Sequence, residues 1–155
     1  MGLKPATQLD GSSLVERHGH LRFLNGMLDS CRSGEGNAVL VEGAFGTGKS
    51  ALLRAVRAYA VREGFTVLQA RGSEPETGHV YGVVRQLFEP WLGSATAKER
   101  SAVFSGSAAR AAPLFDYGEG GVPGGSQIGR EQWVLRGLSQ MLVNLSRRRP
   151  VLLLL

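Results

Sequence analysis

The chain has 155 residues, of which 43% are hydrophobic and 20% charged, a balance that excludes a disordered or fibrous chain and fits one globular domain. A domain of this size buries a core without disulfides or structural metal. The net charge is +5, carried by 15 Arg and 3 Lys. The arginines are scattered except at 147–149, so they read as solvated surface rather than a nucleic-acid footprint.

Cys31 is the lone cysteine. It excludes an intrachain disulfide and fits a reducing cytoplasm, and its place on the apolar side of a helical pattern predicts a buried, inert thiol. No apolar run reaches membrane-spanning length, and residues 1–11 lack a signal core. The expected location is cytoplasmic, with no membrane contact.

Residues 1–13 are polar and read as a flexible leader. Leu21, Leu24, Met27 or Leu28, and Cys31 recur at helical spacing, and Ser33-Gly34-Glu35-Gly36 reads as the cap that ends the helix. Ala38 to Val41 is a short apolar run, expected as a buried strand. Residues 50–62 predict a helix with Leu52, Leu53, Val56, Tyr59 and Ala60 on one side, stopped at Glu63-Gly64. Phe65 to Ala70 is rich in β-formers and predicts a second strand. The order is strand, glycine-bearing loop, helix, strand, a βαβ unit of a parallel sheet.

A polar turn covers 71–78. Tyr81, Val84, Leu87 or Phe88, and Trp91 predict an amphipathic helix ending near Leu92, and a further apolar helix is expected within 97–112. Pro113, Pro123 and the glycines between Gly118 and Gly125 mark 113–126 as loop. Leu135, Leu138, Leu142 and Leu145 predict a long helix from Gln127 to Arg147, with Arg147 to Arg149 capping its last turn. Trp91 and Trp133, within these patterns, read as core or interface. After Pro150, Val151 to Leu155 reads as a central parallel strand covered on both faces. A sequence that stops within such a strand reads as a piece of a longer chain.

Gly43-Ala44-Phe45-Gly46-Thr47-Gly48-Lys49-Ser50 fits the pattern G-x-x-x-x-G-K-[ST]. Glycines allow the backbone to curl and come close to an anion. Successive N–H groups then form an anion-binding nest, and the following helix adds the positive end of its dipole. Lys49 brings a mobile charge to the β and γ phosphates, and Ser50 offers a hydroxyl to Mg²⁺. Phe45 is expected to face solvent or a neighbouring domain. A shuffled sequence of this composition gives the pattern roughly once in 150. Its position between an apolar strand and an amphipathic helix argues further against chance. The expected ligands are ATP and Mg²⁺, although the loop alone does not separate ATP from GTP. The second half of such a site is a metal-holding carboxylate at the end of another strand. Residues 147–155 look like the approach to it, with the acid expected at the position after Leu155, so hydrolysis is left open.

Leu14-Val15-Glu16-Arg17 with the apolar helix after it, and Val39-Leu40-Val41-Glu42-Gly43 with the loop, resemble the start of AAA/STAND-type regulatory ATPases. Ala70-Arg71-Gly72-Ser73-Glu74 and Tyr81-Gly82-Val83-Val84-Arg85-Gln86-Leu87-Phe88-Glu89-Pro90 are more particular. Together these segments resemble the large ATP-binding regulators of the LuxR family, multidomain bacterial transcription activators. The likeness covers residues 12–92 well, weakens over 93–130 and returns at 131–155.

The resemblance implies an α/β P-loop NTPase of the ASCE/AAA type, a three-layer sandwich with a parallel sheet, truncated after the strand that leads to the Walker B acid. Residues 14–155 are then a partial ATPase domain. A further strand of the family fold belongs between the loop strand and the metal-site strand. The resemblance also implies that Val15 and Arg17 lie near the adenine. His18 and His20 stand where the family more usually has acids, and each reads as a surface side chain. The implied partners are the nucleotide, the rest of the ATPase domain and the downstream regulatory domains, and assembly into a homo-oligomer is left open. The family's DNA-binding helix-turn-helix has no counterpart here, so no direct DNA contact is expected.

The leading expectation is a regulatory module in which ATP acts as a switch by binding one state more tightly, and two other functions compete with it. A small-molecule kinase needs an acceptor pocket and a carboxylate, for which Asp116, Glu119 and Glu131 are candidates, although each reads as a solvated charge. A nucleic-acid-binding module would rest on the charge and on Arg147 to Arg149.

Overall fold

A computed structural model describes residues 7–9, 17–72, 81–115 and 127–155. The chain divides into two units, Met1–Phe65 and Thr66–Leu155, and among the described residues each contains one two-stranded parallel ladder.

In the first unit, helix α1 (Arg17–Arg32) buries Leu24 and Leu28 of the predicted stripe. Cys31, expected to be buried, is half-buried, with the Asn37 amide donating to its Sγ at 3.8 Å. Gly34 ends the helix in the left-handed conformation, φ 90°, and the Glu35 amide returns to the Ser30 carbonyl at 3.3 Å. Asn37 Nδ2 also donates to Ser30 Oγ at 3.1 Å and so braces the turn into strand β2 (Val39–Val41).

Strand β1 (Thr7–Leu9) pairs with β2, with Thr7 opposite Val39 and Leu9 opposite Val41. A strand thus stands within the stretch read as a flexible leader. Its ladder is made by main-chain groups, which a polar composition does not reveal. Strand β2 was expected to be buried, yet Leu40 is 50% exposed. The alternation of a strand turns Val39 and Val41 to one face and leaves Leu40 on the other.

Helix α2 (Lys49–Arg62) packs on α1 through Leu52, Val56 and Ala60, all buried and four residues apart. Leu53 and Tyr59, expected on the same side, are half-buried at its margin. Tyr59 Oη donates to Asp29 Oδ1 at 2.9 Å across the two helices. That hydrogen bond, followed by partial desolvation, raises the phenol above its ordinary pKa. Arg32 and Glu63 add a 3.0 Å ion pair between the ends of the two helices.

In the second unit, β3 (Thr66–Gln69) pairs with β4 (Val151–Leu154) in register from Thr66–Val151 to Gln69–Leu154. The Thr66 amide to Pro150 and the Ala70 amide to Leu154, both 2.9 Å, extend the ladder at each end. Strand β4 was expected to be covered on both faces. Leu154 is buried, but Leu153 on the other face is 41% exposed.

Helix α3 (Gly82–Ser94) runs through Pro90 and two residues past the expected end at Leu92. Its Phe88 and Leu92 enter the core, where Phe88 meets Phe115 edge-on at 5.9 Å. The helix expected within 97–112 is two elements. Helix α4 (Ala97–Val103) opens with a reciprocal Thr96–Glu99 capping box. A 3₁₀ segment, Gly106–Leu114, follows and contains Pro113. The break is made by Ser105 in extended conformation and Gly106 at φ 65°, which a continuing α-helix cannot accept.

Helix α5 (Gln127–Ser146) packs along the 3₁₀ segment, the most extensive helical contact among the described elements. Val134, Leu138, Met141 and Leu145 bury its inner face with Leu68, Val103, Ala108, Ala111 and Leu114. Asn144, buried within that face, donates to the Val103 carbonyl at 2.9 Å and to the Ser105 carbonyl at 3.2 Å. It satisfies the main chain at the α4 break. Trp91 packs at the edge of the core as expected, whereas Trp133 is 57% exposed. Arg148 pairs with Glu99 of α4 at 3.4 Å. The loop read over 113–126 is 3₁₀ as far as Leu114, and its remainder from 116 lies outside the described residues.

Candidate nucleotide-binding site

The loop leaves β2 at Glu42 and enters α2 at Lys49. Gly46 and Gly48 both take φ 82°, a left-handed conformation that costs an L-residue about 1–2 kcal/mol. Between them Thr47 is pinned inward, its Oγ1 donating to the Ala44 carbonyl at 2.8 Å and its amide at 3.4 Å. The loop therefore curls back on itself rather than running straight from the strand.

Lys49 folds over the same turn. Its Nζ donates to the Gly43 carbonyl at 2.7 Å and to the Ala44 carbonyl at 2.9 Å. The third ammonium proton remains for an anion. These bonds hold the charge at the mouth of the loop and oppose the rotamer freedom of a long side chain.

The start of α2 is open. The amides of Ala51 and Leu52 reach the Gly48 carbonyl, each at 3.0 Å, but those of Lys49 and Ser50 have no carbonyl acceptor among the described residues. Gly48 offers no side-chain cap, and the first turn of α2 carries no acidic residue. Many helices fill this position with their own Ser, Asp or Glu. Here the orphan amides, the positive end of the helix dipole and the ammonium come together at the head of α2.

Arg54 accepts no role there; its Nε donates to the Ser50 carbonyl at 3.2 Å. The Ser50 hydroxyl is exposed and has no hydrogen-bond partner among the described residues. A free hydroxyl beside a phosphate nest fits a Mg²⁺ ligand, since that ion takes oxygen donors and keeps much of its water. Among the described residues, no three His, Cys, Asp or Glu side chains come together to hold a metal by themselves. Phe45 is fully exposed, as expected.

A family model described as AAA ATPase domain matches residues 13–155. The chain belongs to the AAA ATPase domain family. As an AAA ATPase domain it is a P-loop NTPase of α/β fold and a nucleotide-binding module, of a family that typically works with Mg²⁺. Comparison with curated proteins and with solved structures gives no significant match. Among the described residues, no helix of this AAA ATPase domain is long and apolar enough to cross a membrane.

Of the residues singled out in the sequence, Gly43, Ala44, Thr47 and Lys49 are joined by hydrogen bonds, and Gly46, Gly48 and Ser50 complete the curl. Val15, Asp116 and Glu119 lie outside the described residues, and Arg17 is described only as the first residue of α1. His18 is exposed and His20 half-buried. What the motif did not mark is the Ala44 carbonyl as the hub of the loop. A main-chain acceptor at a position open to any residue leaves no trace in a sequence pattern.

Proposed function

We propose that this chain is the ATP-binding module of a LuxR-like transcriptional regulator, in which the nucleotide acts as a conformational switch. The observation that carries the reading is the curled loop with Lys49 folded over it and an uncapped α2 behind it. The amides of Gly46 to Ser50 cradle the phosphates, Lys49 neutralises their outer oxygens, and Ser50 holds Mg²⁺. Bound Mg²⁺ would draw charge from the β and γ phosphates. The family likeness extends the proposal to Val15 and Arg17 as the residues that border the adenine.

The regulator part of the reading is supported by the segments 70–74 and 81–90 and their likeness to that family. In such a module ATP shifts the balance between states by binding one of them more tightly. The proposed setting is the cytoplasm, in an α/β three-layer sandwich whose loop binds the nucleotide. DNA contact falls to other domains.

Limited proteolysis with and without Mg²⁺–ATP tests the switch. A switch predicts a cleavage pattern that changes with ATP and differs from that with ADP. Identical patterns in all three conditions, with nucleotide bound, would contradict it. Turnover accelerated by a small-molecule acceptor would point to a kinase.

A further inference from the structure

The second unit carries a groove whose described lining includes no residue of the Gly43–Ser50 loop. An open groove of about 530 Å³ is lined by Arg110 of the 3₁₀ segment and by Gln132, Trp133, Leu135 and Arg136 of α5. The Arg110 guanidinium carbon lies 4.2 Å above the Trp133 ring, and the indole remains 57% exposed. Stacking orients the guanidinium and leaves the N–H groups at its edge available to an acceptor.

Arg136 makes no ion pair or hydrogen bond among the described residues. No acidic residue is among the groove's described lining. From Gln132 to Leu155 the sequence contains four arginines and no Asp or Glu. Apolar surface accompanies this charge. Leu135 is 60% exposed, and Val143, two turns beyond Arg136 on the same helix, is 46% exposed.

We infer that this groove docks an acidic polypeptide segment, in which Asp or Glu side chains flank an aliphatic or aromatic residue. The carboxylates meet the forks of Arg110 and Arg136, and the apolar residue covers the exposed edge of Trp133. Trp and Arg together, with no carboxylate among the described lining, are the composition of protein interface centres. Single-stranded nucleic acid would use the same charge, but it binds platforms of successive aromatics. Trp133 is the one aromatic lining this groove among the described residues, and Arg110 already covers one of its faces. Aliphatic neighbours suit a peptide better than a base.

The test is fluorescence anisotropy on the full chain with three labelled probes. These are a peptide alternating Glu with Leu, the same peptide with Gln for Glu, and an oligodeoxythymidylate. The Glu peptide is expected to bind with an affinity that falls as salt rises, and the Gln peptide to bind at least tenfold more weakly. Arg136→Gln and Trp133→Ala should each weaken the Glu peptide by about tenfold, as loss of one charge-assisted contact or one interface anchor does. Both side chains are exposed, and circular dichroism checks the fold; should Trp133→Ala unfold, Arg136→Gln decides. ATP binding by Arg136→Gln should match wild type, which separates this proposal from the nucleotide reading. No binding of the Glu peptide, equal binding of the two peptides, indifference to Arg136→Gln, or tighter binding of the oligonucleotide would overturn it.

Discussion

Gly137 of α5 lies directly over Ala111 of the 3₁₀ segment, so close that a Cβ on the glycine would stand 2.9 Å from the Ala111 amide nitrogen and 3.1 Å from its Cβ. The contact brings two backbones together in the middle of the second unit's core. Gly137→Ala adds a methyl against main chain, which cannot swing aside. Helix propensity would return about 1 kcal/mol, but overpacking costs about 1–3 kcal/mol. We predict a net loss of stability of roughly 1 kcal/mol, read as a lower urea midpoint with unchanged slope. A gain in stability would show that the two elements can separate freely.

Asn144 holds the break between α4 and the 3₁₀ segment from across the core. Asn144→Leu keeps a similar volume but strands the Val103 carbonyl. Leaving one buried acceptor unsatisfied costs about 1–3 kcal/mol. Urea unfolding should show a loss in that range, and a stability equal to wild type would mean that water replaces the amide.

Much of this arrangement was legible in advance, for physical reasons that differ by element. α2 and α5 announced themselves because their apolar residues recur at helical spacing. The loop did so because its chemistry requires glycines, a lysine and a hydroxyl at fixed positions. The break at Ser105–Gly106 was hidden in part because the amide that satisfies its carbonyls, that of Asn144, lies some forty residues away in sequence. β1 was hidden because a ladder uses main-chain groups common to every residue. The one-sided cover of β2 and β4 also escaped a reading in which apolar runs imply burial.

The Glu99 carboxylate sits below its ordinary pKa, first because the Thr96 amide donates to it at 2.9 Å, then because the Thr96 hydroxyl does at 2.8 Å. A folded-state pKa depressed in this way gives stability that is fully present above the unfolded value, near about 4.3, and is lost as pH falls through the folded value. Glu99→Ala should therefore lower Tm at neutral pH, and the difference from wild type should shrink in strong acid. A difference that is constant with pH would show that the charge of the carboxylate plays no part.

Gly48 is the N-cap of α2 and takes φ 82°. Gly48→Val places a β-branched side chain where L-residues are strained, and the loop must uncurl to relieve it. Mg²⁺–ATP affinity is expected to fall by at least tenfold in calorimetric titration, with the helix content of α2 retained in circular dichroism. Full affinity in this variant would show that the left-handed turn is not needed.

The most direct measurement is a titration of the chain with Mg²⁺ and a fluorescent mant-ATP analogue, set against Lys49→Ala. The Lys49 ammonium bridges the Gly43 and Ala44 carbonyls, and the proposed function assigns it to the phosphates. Removing one charge-assisted contact of this kind costs about 1.5–3 kcal/mol, so affinity should fall by about tenfold to a hundredfold. Equal affinity of wild type and Lys49→Ala, with both folded, would contradict the assignment of Gly43 to Ser50 as the phosphate-binding loop.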